Sequence, residues 1–515
     1  MIGAGPNGLV AANQLPDLGW SVVVLEAIDS PGGAVQSAQF IEPGFTNDWC
    51  SAFYPLVPAS PAFIPLELER YGLRWKRSPL VLAHPMLEGS CAVLSQDVHD
   101  TARRFEAGHA GDGARWLALH DQWRRIAQPF TDVLLRPFPP VAATARLALR
   151  LRRDLLEFLR FTMLPVRRLG EEQFEGDLPR RLLAGAALHG DLAPDSTLSG
   201  FYGWFLCMLG QDHGFPVPEG GASGLTEALV RRLEARQGQV ICQAPVAKVL
   251  IRNRRAVGVR LLDGQEVAAR WAVLADVNAP LLYGHLVASG DLPSSLLVKA
   301  KRFHWDHSTM KIDWTLDGPI PWAVAEAREA GTVHVAEGVD ALSMAEAQIV
   351  CGQIPSAPFL VMGQQSMTDP SRQPPGKETA WAYTHLPRHI RGDAAGEITA
   401  LDADGTRRLT DRIEAQIEQQ APGFRSLIRH RHVMTPGDLE EHNPNVFGGA
   451  ITGGTMQLHQ QLVFRPVPGL GRPETPIKGL YLASSSAHPG GGVHGACGAN
   501  AAAAALLHHR LSGGR

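Results

Sequence analysis

Gly3, Gly5 and Gly8 stand in the run Gly3-Ala4-Gly5-Pro6-Asn7-Gly8, a spacing that suits a loop folded around a phosphate. In a strand–helix–strand unit of this kind the first glycine makes the tight turn. The second lets backbone approach a pyrophosphate, and the third lets the helix pack close to the strand. Pro6 and Asn7 then open a helix whose free N–H groups and dipole favour negative charge. The apolar run Val22-Val23-Val24-Leu25 ends in Glu26. A carboxylate there accepts hydrogen bonds from ribose hydroxyls and repels a 2′-phosphate, so NADP is disfavoured. A helix, a second strand and an acid all follow the glycines, but only Met1 and Ile2 precede them, where a central parallel strand usually has about five residues. The native start is expected to lie upstream.

The continuation Ala27 to Ala34, with Pro31-Gly32-Gly33-Ala34, offers a second close backbone approach to phosphate that a simple NAD site does not need. Far along the chain, Gly479 to Ser486 reads as a strand. It runs into His488-Pro489-Gly490-Gly491-Gly492-Val493-His494 and then a helix of small residues that includes Asn500. Such a helix can aim its amino end at a second anionic or electron-rich group. The two glycine signatures together describe the two halves of one FAD site, with Gly491, Gly492, Val493 and Asn500 on the flavin side. A tightly packed turn before a C-terminal helix would produce a similar local pattern.

On these residues the chain resembles the FAD-dependent phytoene desaturase-like oxidoreductases of the amine oxidase superfamily. It is most similar to the pyridine nucleotide-disulfide oxidoreductase domain 2 type and the carotenoid ketolases. A middle block extends the likeness over nearly the whole length: Pro218-Glu219-Gly220-Gly221-Ala222-Ser223-Gly224-Leu225, followed by Val240 to Ile251. The resemblance implies that Val246 contacts the adenine side of FAD through its backbone. It also implies that the strand ending at Ala275-Asp276 closes the nucleotide domain. A Rossmann-like α/β FAD-binding domain (1–80, 215–300 and 446–515) is then interleaved with an α+β substrate domain (81–214 and 301–445).

Three residues are candidates for chemistry. Thr309-Met310-Lys311-Ile312-Asp313-Trp314 is similar to the amine oxidase strand whose lysine holds a water beside flavin N5. A fixed cation there would stabilise the anion formed when oxygen takes an electron; an exposed strand lysine is the plainer reading. His488 and His494 flank the triple glycine, where a group titrating near neutral pH can shuttle a proton or simply cap the loop. Where amine oxidases carry a Glu-His or Glu-Thr pair this chain has Ser485-Ser486-Ala487, so amine oxidation is the less favoured activity. Trp314, Trp322 and Trp381 suit core packing first and an aromatic cage second.

A net charge of −3 over 515 residues, with 45% hydrophobic and 19% charged, describes an ordinary globular enzyme and gives no field for nucleic acid. Six scattered cysteines with no C-x-x-C and no histidine cluster argue against a metal or an active dithiol, and Cys497 reads as a small buried residue. No signal peptide and no uncharged apolar run of membrane-spanning length stand out, so a cytoplasmic location is expected. Val141 to Leu169 carries seven arginines against Asp154 and Glu157 on a helical pattern. That pattern fits either peripheral contact with an anionic membrane or a solvated face covering the core. No second dinucleotide fingerprint is present, so the electron acceptor is expected to be oxygen or a quinone rather than NAD(P)H. The leading expectation is an FAD-dependent oxidoreductase acting on a small apolar, isoprenoid-like molecule. A flavin-dependent isomerase and a non-enzymatic lipid-binding protein are the alternatives, and no sequence feature specifies an oligomeric state.

Overall fold

A computed structural model describes residues 1–513. The glycine motif is positioned by a parallel sheet built from very short strands. Val23–Leu25 pairs in parallel with Gln239–Ile241, and Val273–Ala275 with Leu480–Leu482. Ile2 lies between these pairs, bridging Leu25 on one side and Ala275 on the other. The backbone here is tied to both neighbours: Ile2 N–H donates to Leu274 O, Gly3 N–H to Leu25 O, and Asp276 N–H to Ile2 O. The helix Pro6–Gln14 starts at the carboxyl end of this sheet, with Pro6 at its first position, where no N–H is missed. It packs on the terminal helix Ala496–Leu511 so closely that a Cβ on Gly498 would overlap Asn7 O.

The second layer is a seven-stranded sheet. Its strand order is Ile428–Met434, Ser308–Leu316, Glu378–Leu386, Leu360–Gly363, Ala330–Val335, Leu80–Pro85 and Cys91–Ser95. All pairings are antiparallel except Ala330–Val335 with Leu80–Pro85. The strands show the two-residue alternation of a sheet covered on both faces. Met310, Ile312, Trp314 and Leu316 enter a core with Leu409, Ile413 and Ile417 of the helix Ala403–Gln420. Thr309 and Lys311 face the other way and line a cavity. Trp381, Tyr383 and Thr332 point to the same side from their own strands.

Helices cover that side. Asp112–Leu135 and Ser199–His213 bring Trp116, Trp123, Phe130, Phe201, Trp204 and Phe205 into one aromatic core. The basic stretch is broken into Val141–Leu151, Leu155–Met163 and Val166–Gln173. Several of its arginines are paired: Arg146 with Asp132 and Arg167 with Asp195 and Asp340 of other segments, and Arg160 and Arg168 with Glu172 of the stretch's own last helix. Val141, Leu149 and Leu156 remain exposed beside them. No helix among the described residues is long and apolar enough to cross a membrane.

Candidate active site

One cavity of about 640 Å³ runs from the opening glycine loop, past the C-terminal glycine loop, into an apolar chamber. Gly3, Gly5, Pro6, Asn7, Glu26, Ala27, Gly33, Ala34 and Val246 line one end. Gly491, Gly492, Val493 and His494 line its middle, with Ser484, Ser485 and Pro489 beside them. Phe201, Tyr202, Phe205, Leu206, Phe215 and Trp381 enclose the chamber. Residues nearly five hundred positions apart thus share one hollow because the terminal helix packs on the first.

The geometry of the nucleotide end fits a dinucleotide. Gly3 adopts φ +84°, Gly32 +126° and Gly33 +56°, backbone that L side chains rarely take up. Glu26 Oε2 accepts from Ala4 N–H at 2.7 Å and Oε1 from Ala27 N–H at 2.7 Å, which holds the carboxylate at the end of its strand. Asn7 Oδ1 is buried with no protein partner among the described residues. Gly8 and Gly32 support the loop from behind: a Cβ on Gly8 would stand 2.5 Å from Gly3 O, and one on Gly32 2.6 Å from Val35 O. The glycines of Gly220-Gly221-Ala222-Ser223-Gly224 serve the protein instead. Gly220 N–H donates to Asp369, Ala222 N–H to Asp48 and Ser223 N–H to Ser37.

Ala275 is enclosed in its strand, and the cavity is lined by the next residue, Asp276. Asp276 Oδ2 accepts the Gly8 N–H at 2.8 Å, and a Cβ on Gly5 would approach the same oxygen to 2.7 Å. Burial raises the Asp276 carboxyl to about 7, against the pull of the Gly8 N–H and with the help of nearby Glu26. A carboxyl held at the amino end of the first helix is the residue that the motif alone did not disclose. Its only sequence signal is a charge directly after an apolar strand.

The expected catalytic residues take different places. Lys311 is 3% exposed rather than a surface lysine, and it borders the cavity. Its ammonium donates to Asp48 O at 2.9 Å and pairs with Asp313, while Nζ lies 6.0 Å from the centre of the Trp381 ring. Burial raises Asp313 to about 6, opposed first by the charge of Lys311. The carboxylate of Asp48, whose backbone oxygen takes the lysine, binds Arg372 at 2.6 Å, so a second buried ion pair stands beside the first. His494 lines the cavity, but both ring nitrogens are engaged: Nδ1 accepts from Ala496 N–H at 3.0 Å, and Nε2 donates to Gly490 O at 3.1 Å. This ring caps the loop and is not free to shuttle a proton. His488 is buried with neither nitrogen partnered among the described residues, and it lies behind the cavity wall. Burial lowers both histidines to about 4, so both are neutral. Asn500 does not line the cavity; its Nδ2 donates at 3.3 Å to the backbone oxygen of Leu135, a residue that does. Cys497 is buried against Ala487 O and Gly490 O, and burial pushes its thiol up to about 12.

Arg465 escaped the sequence reading altogether. Its guanidinium is fully buried and donates to the carbonyls of Thr452, Gly453, Gly454, Thr455 and Ser485, at 2.7 to 3.3 Å. It therefore pins the two loops that face the C-terminal glycines. Nothing in its local sequence announces this, because every partner is a backbone oxygen. Trp314 and Trp322 are core residues whose indoles donate to Glu414 and Gln364. Only Trp381 of the three borders the cavity.

A cavity with a dinucleotide cradle at one end and an apolar chamber at the other is the site of a flavin-dependent oxidoreductase. The model of the flavin containing amine oxidoreductase family matches residues 7–277, more than half of the chain, and the chain belongs to that family. FAD is its cofactor. Over 546 residues the chain is 27% identical to the mouse (Mus musculus) pyridine nucleotide-disulfide oxidoreductase domain-containing protein 2, covering 98% of this chain and 92% of the relative. It is 24% identical to the lycopene-forming phytoene desaturase of Pseudescherichia vulneris, covering 98% of each. Among solved structures, an oxidoreductase from Methanosarcina mazei superposes with a TM-score of 0.59 over 98% of this chain and 99% of that one, at 16% identity, a likeness of fold.

Proposed function

We propose that the protein dehydrogenates a small apolar molecule of isoprenoid type. The observation that carries this reading is the continuity of the cavity: the space next to the C-terminal glycine loop opens directly onto a chamber walled by Phe201, Phe205, Leu206, Phe215 and Trp381. Bound FAD, held by Gly3, Gly5, Asn7, Glu26, Gly33, Val246 and Gly491–Val493, would supply a two-electron acceptor for substrate dehydrogenation, with oxygen or a quinone as the proposed final acceptor of the electrons. The protein's own share is to orient the substrate against that acceptor and exclude water, which places a C–H bond in a reactive geometry. Apolar walls also favour a hydrocarbon chain, at roughly 25 cal/mol for each Å² taken out of water.

The charge nearest the aromatic wall is the Lys311 cation, 6.0 Å from Trp381. Its charge is balanced by Asp313, so the wall offers no free carboxylate among the described residues to an ammonium substrate, which supports the apolar reading over amine oxidation. The exposed apolar residues Val141, Leu149, Leu156, Leu159 and Met163 support a further part of the proposal, peripheral contact with a membrane from which such a substrate is drawn. The test is a single turnover without air. Addition of substrate is expected to bleach the flavin and release a product lighter by two hydrogens, and air is expected to restore the colour. A product of unchanged mass with the flavin colour retained would mean isomerisation and would overturn the proposal.

A further inference from the structure

Several polar groups line the chamber, among them Trp381 Nε1, Thr309 Oγ1 and Thr332 Oγ1, which have no partner among the described residues; His189 is the one held by a second histidine. His189 follows the helix Asp177–Ala187 and borders the cavity, close to Thr332 and Tyr383. Its Nε2 lies 2.8 Å from Nε2 of His334, a ring that is fully buried on the cavity face of the large sheet. One of these two nitrogens must donate and the other accept. The surroundings of His334 decide which.

Nδ1 of His334 has no hydrogen-bond partner among the described residues. It abuts the backbone of Gly185, where a Cβ would overlap it. A proton on Nδ1 would leave a buried N–H aimed at a methylene, whereas a lone pair there makes only a weak C–H contact. The nearby His84 offers no relief: its Nε2 donates to Ala336 O at 3.2 Å and Glu337 O at 3.0 Å, and its acceptor Nδ1 has no hydrogen-bond partner among the described residues, so it does not take a proton from His334. His334 is therefore the Nε2–H tautomer and donates to His189. It follows that His189 Nε2 accepts and that His189 carries its own proton on Nδ1. That N–H has no protein acceptor among the described residues, on a ring that borders the cavity. Burial lowers His189 to about 3, so the ring stays neutral and keeps this single donor.

We propose that His189, held in one tautomer by His334, reads an acceptor oxygen on the substrate, so that the preferred substrate is an oxygenated isoprenoid and not a pure hydrocarbon. This inference rests on the apolar-substrate reading above. Carbonyl, ether and hydroxyl oxygens all offer the lone pair required; an ammonium or other donor-only group is excluded because it offers nothing to accept the N–H.

The test uses the FAD-loaded enzyme, titrated in dodecyl maltoside micelles and followed by the change in its visible flavin spectrum. The probes are farnesylacetone and the matched hydrocarbon in which the carbonyl is a methylene. Wild type is expected to bind the ketone about tenfold more tightly, the equivalent of one buried hydrogen bond near 1.4 kcal/mol. His189→Phe is expected to bind the two probes equally, and His189→Gln, which keeps an N–H donor, to regain part of the ketone preference. Flavin content serves as the check on folding for both variants. Equal affinities in wild type, or a ketone preference that survives in His189→Phe, would overturn the inference while leaving the apolar-substrate reading in place. If neither probe perturbs the flavin, that reading fails and takes this one with it.

Discussion

Asp276→Asn probes the least expected feature of the nucleotide end. The substitution keeps the size of the side chain and an oxygen able to accept the Gly8 N–H, now 2.8 Å from the carboxyl. What it removes is a titration. Burial raises this carboxyl from 3.8 to about 7, a difference equivalent to about 4 kcal/mol at about 1.36 kcal/mol per pH unit. Because the folded pKa lies above the unfolded one, the folded state holds the proton more tightly, and stability falls as pH rises from about 4 to about 7. Below that window both states are protonated; above it both are ionised and the full penalty is present. His488 and His494, lowered by burial to about 4, act with the opposite sign between about pH 4 and pH 6.5, but equally in both proteins, so they cancel in the difference. Urea unfolding of protein freed of FAD is the assay. The stability advantage of Asp276→Asn should widen by about 3 kcal/mol between about pH 5 and about pH 8. A constant difference, or one that widens toward acid, would refute the reasoning.

The remaining predictions concern the ion pair, the loops and the helix contact. Lys311→Met leaves Asp313 buried without its cation and should cost about 3–5 kcal/mol in unfolding experiments; adding Asp313→Leu should recover most of it. In the same Lys311→Met enzyme, stopped-flow mixing of reduced protein with air should show slower reoxidation. Arg465→Met strips five loop carbonyls of their donor and should lower stability by about 3 kcal/mol or more, with loss of FAD visible as a lower ratio of flavin to protein absorbance. Gly498→Ala drives a Cβ into Asn7 O and should also lower FAD retention, whereas Gly290→Ala, which meets nothing within 4 Å, should leave it unchanged.

The nucleotide half was legible because its signals are local. A tight turn, a close approach and a carboxylate at a strand end each demand a residue type at a fixed offset, as at Gly3, Gly33 and Glu26. Pairing the two glycine signatures was legible for a different reason: small residues around Gly498 can only be needed where another backbone comes close. Asp276, Arg465 and His189 were not legible. Each derives its meaning from partners that are distant in sequence and mostly backbone, and a sequence pattern carries no trace of a carbonyl. Arg146 and Arg167 show the same limit, since their acids, Asp132, Asp195 and Asp340, come from other segments. Lys311 was recognised as a residue of interest, but its burial and its pairing with Asp313 required the register of the sheet. His494 was placed in the right loop, and only the geometry shows that the loop itself uses both nitrogens.

The most direct test of the whole account is an electron-density map of the crystallised protein loaded with FAD and farnesylacetone. The account predicts an isoalloxazine ring in the cavity between Gly491–Gly492 and Lys311, with the isoprenoid chain against Phe201, Phe205 and Trp381. A ring bound elsewhere, or a chamber closed by its own side chains with the chain excluded, would contradict it.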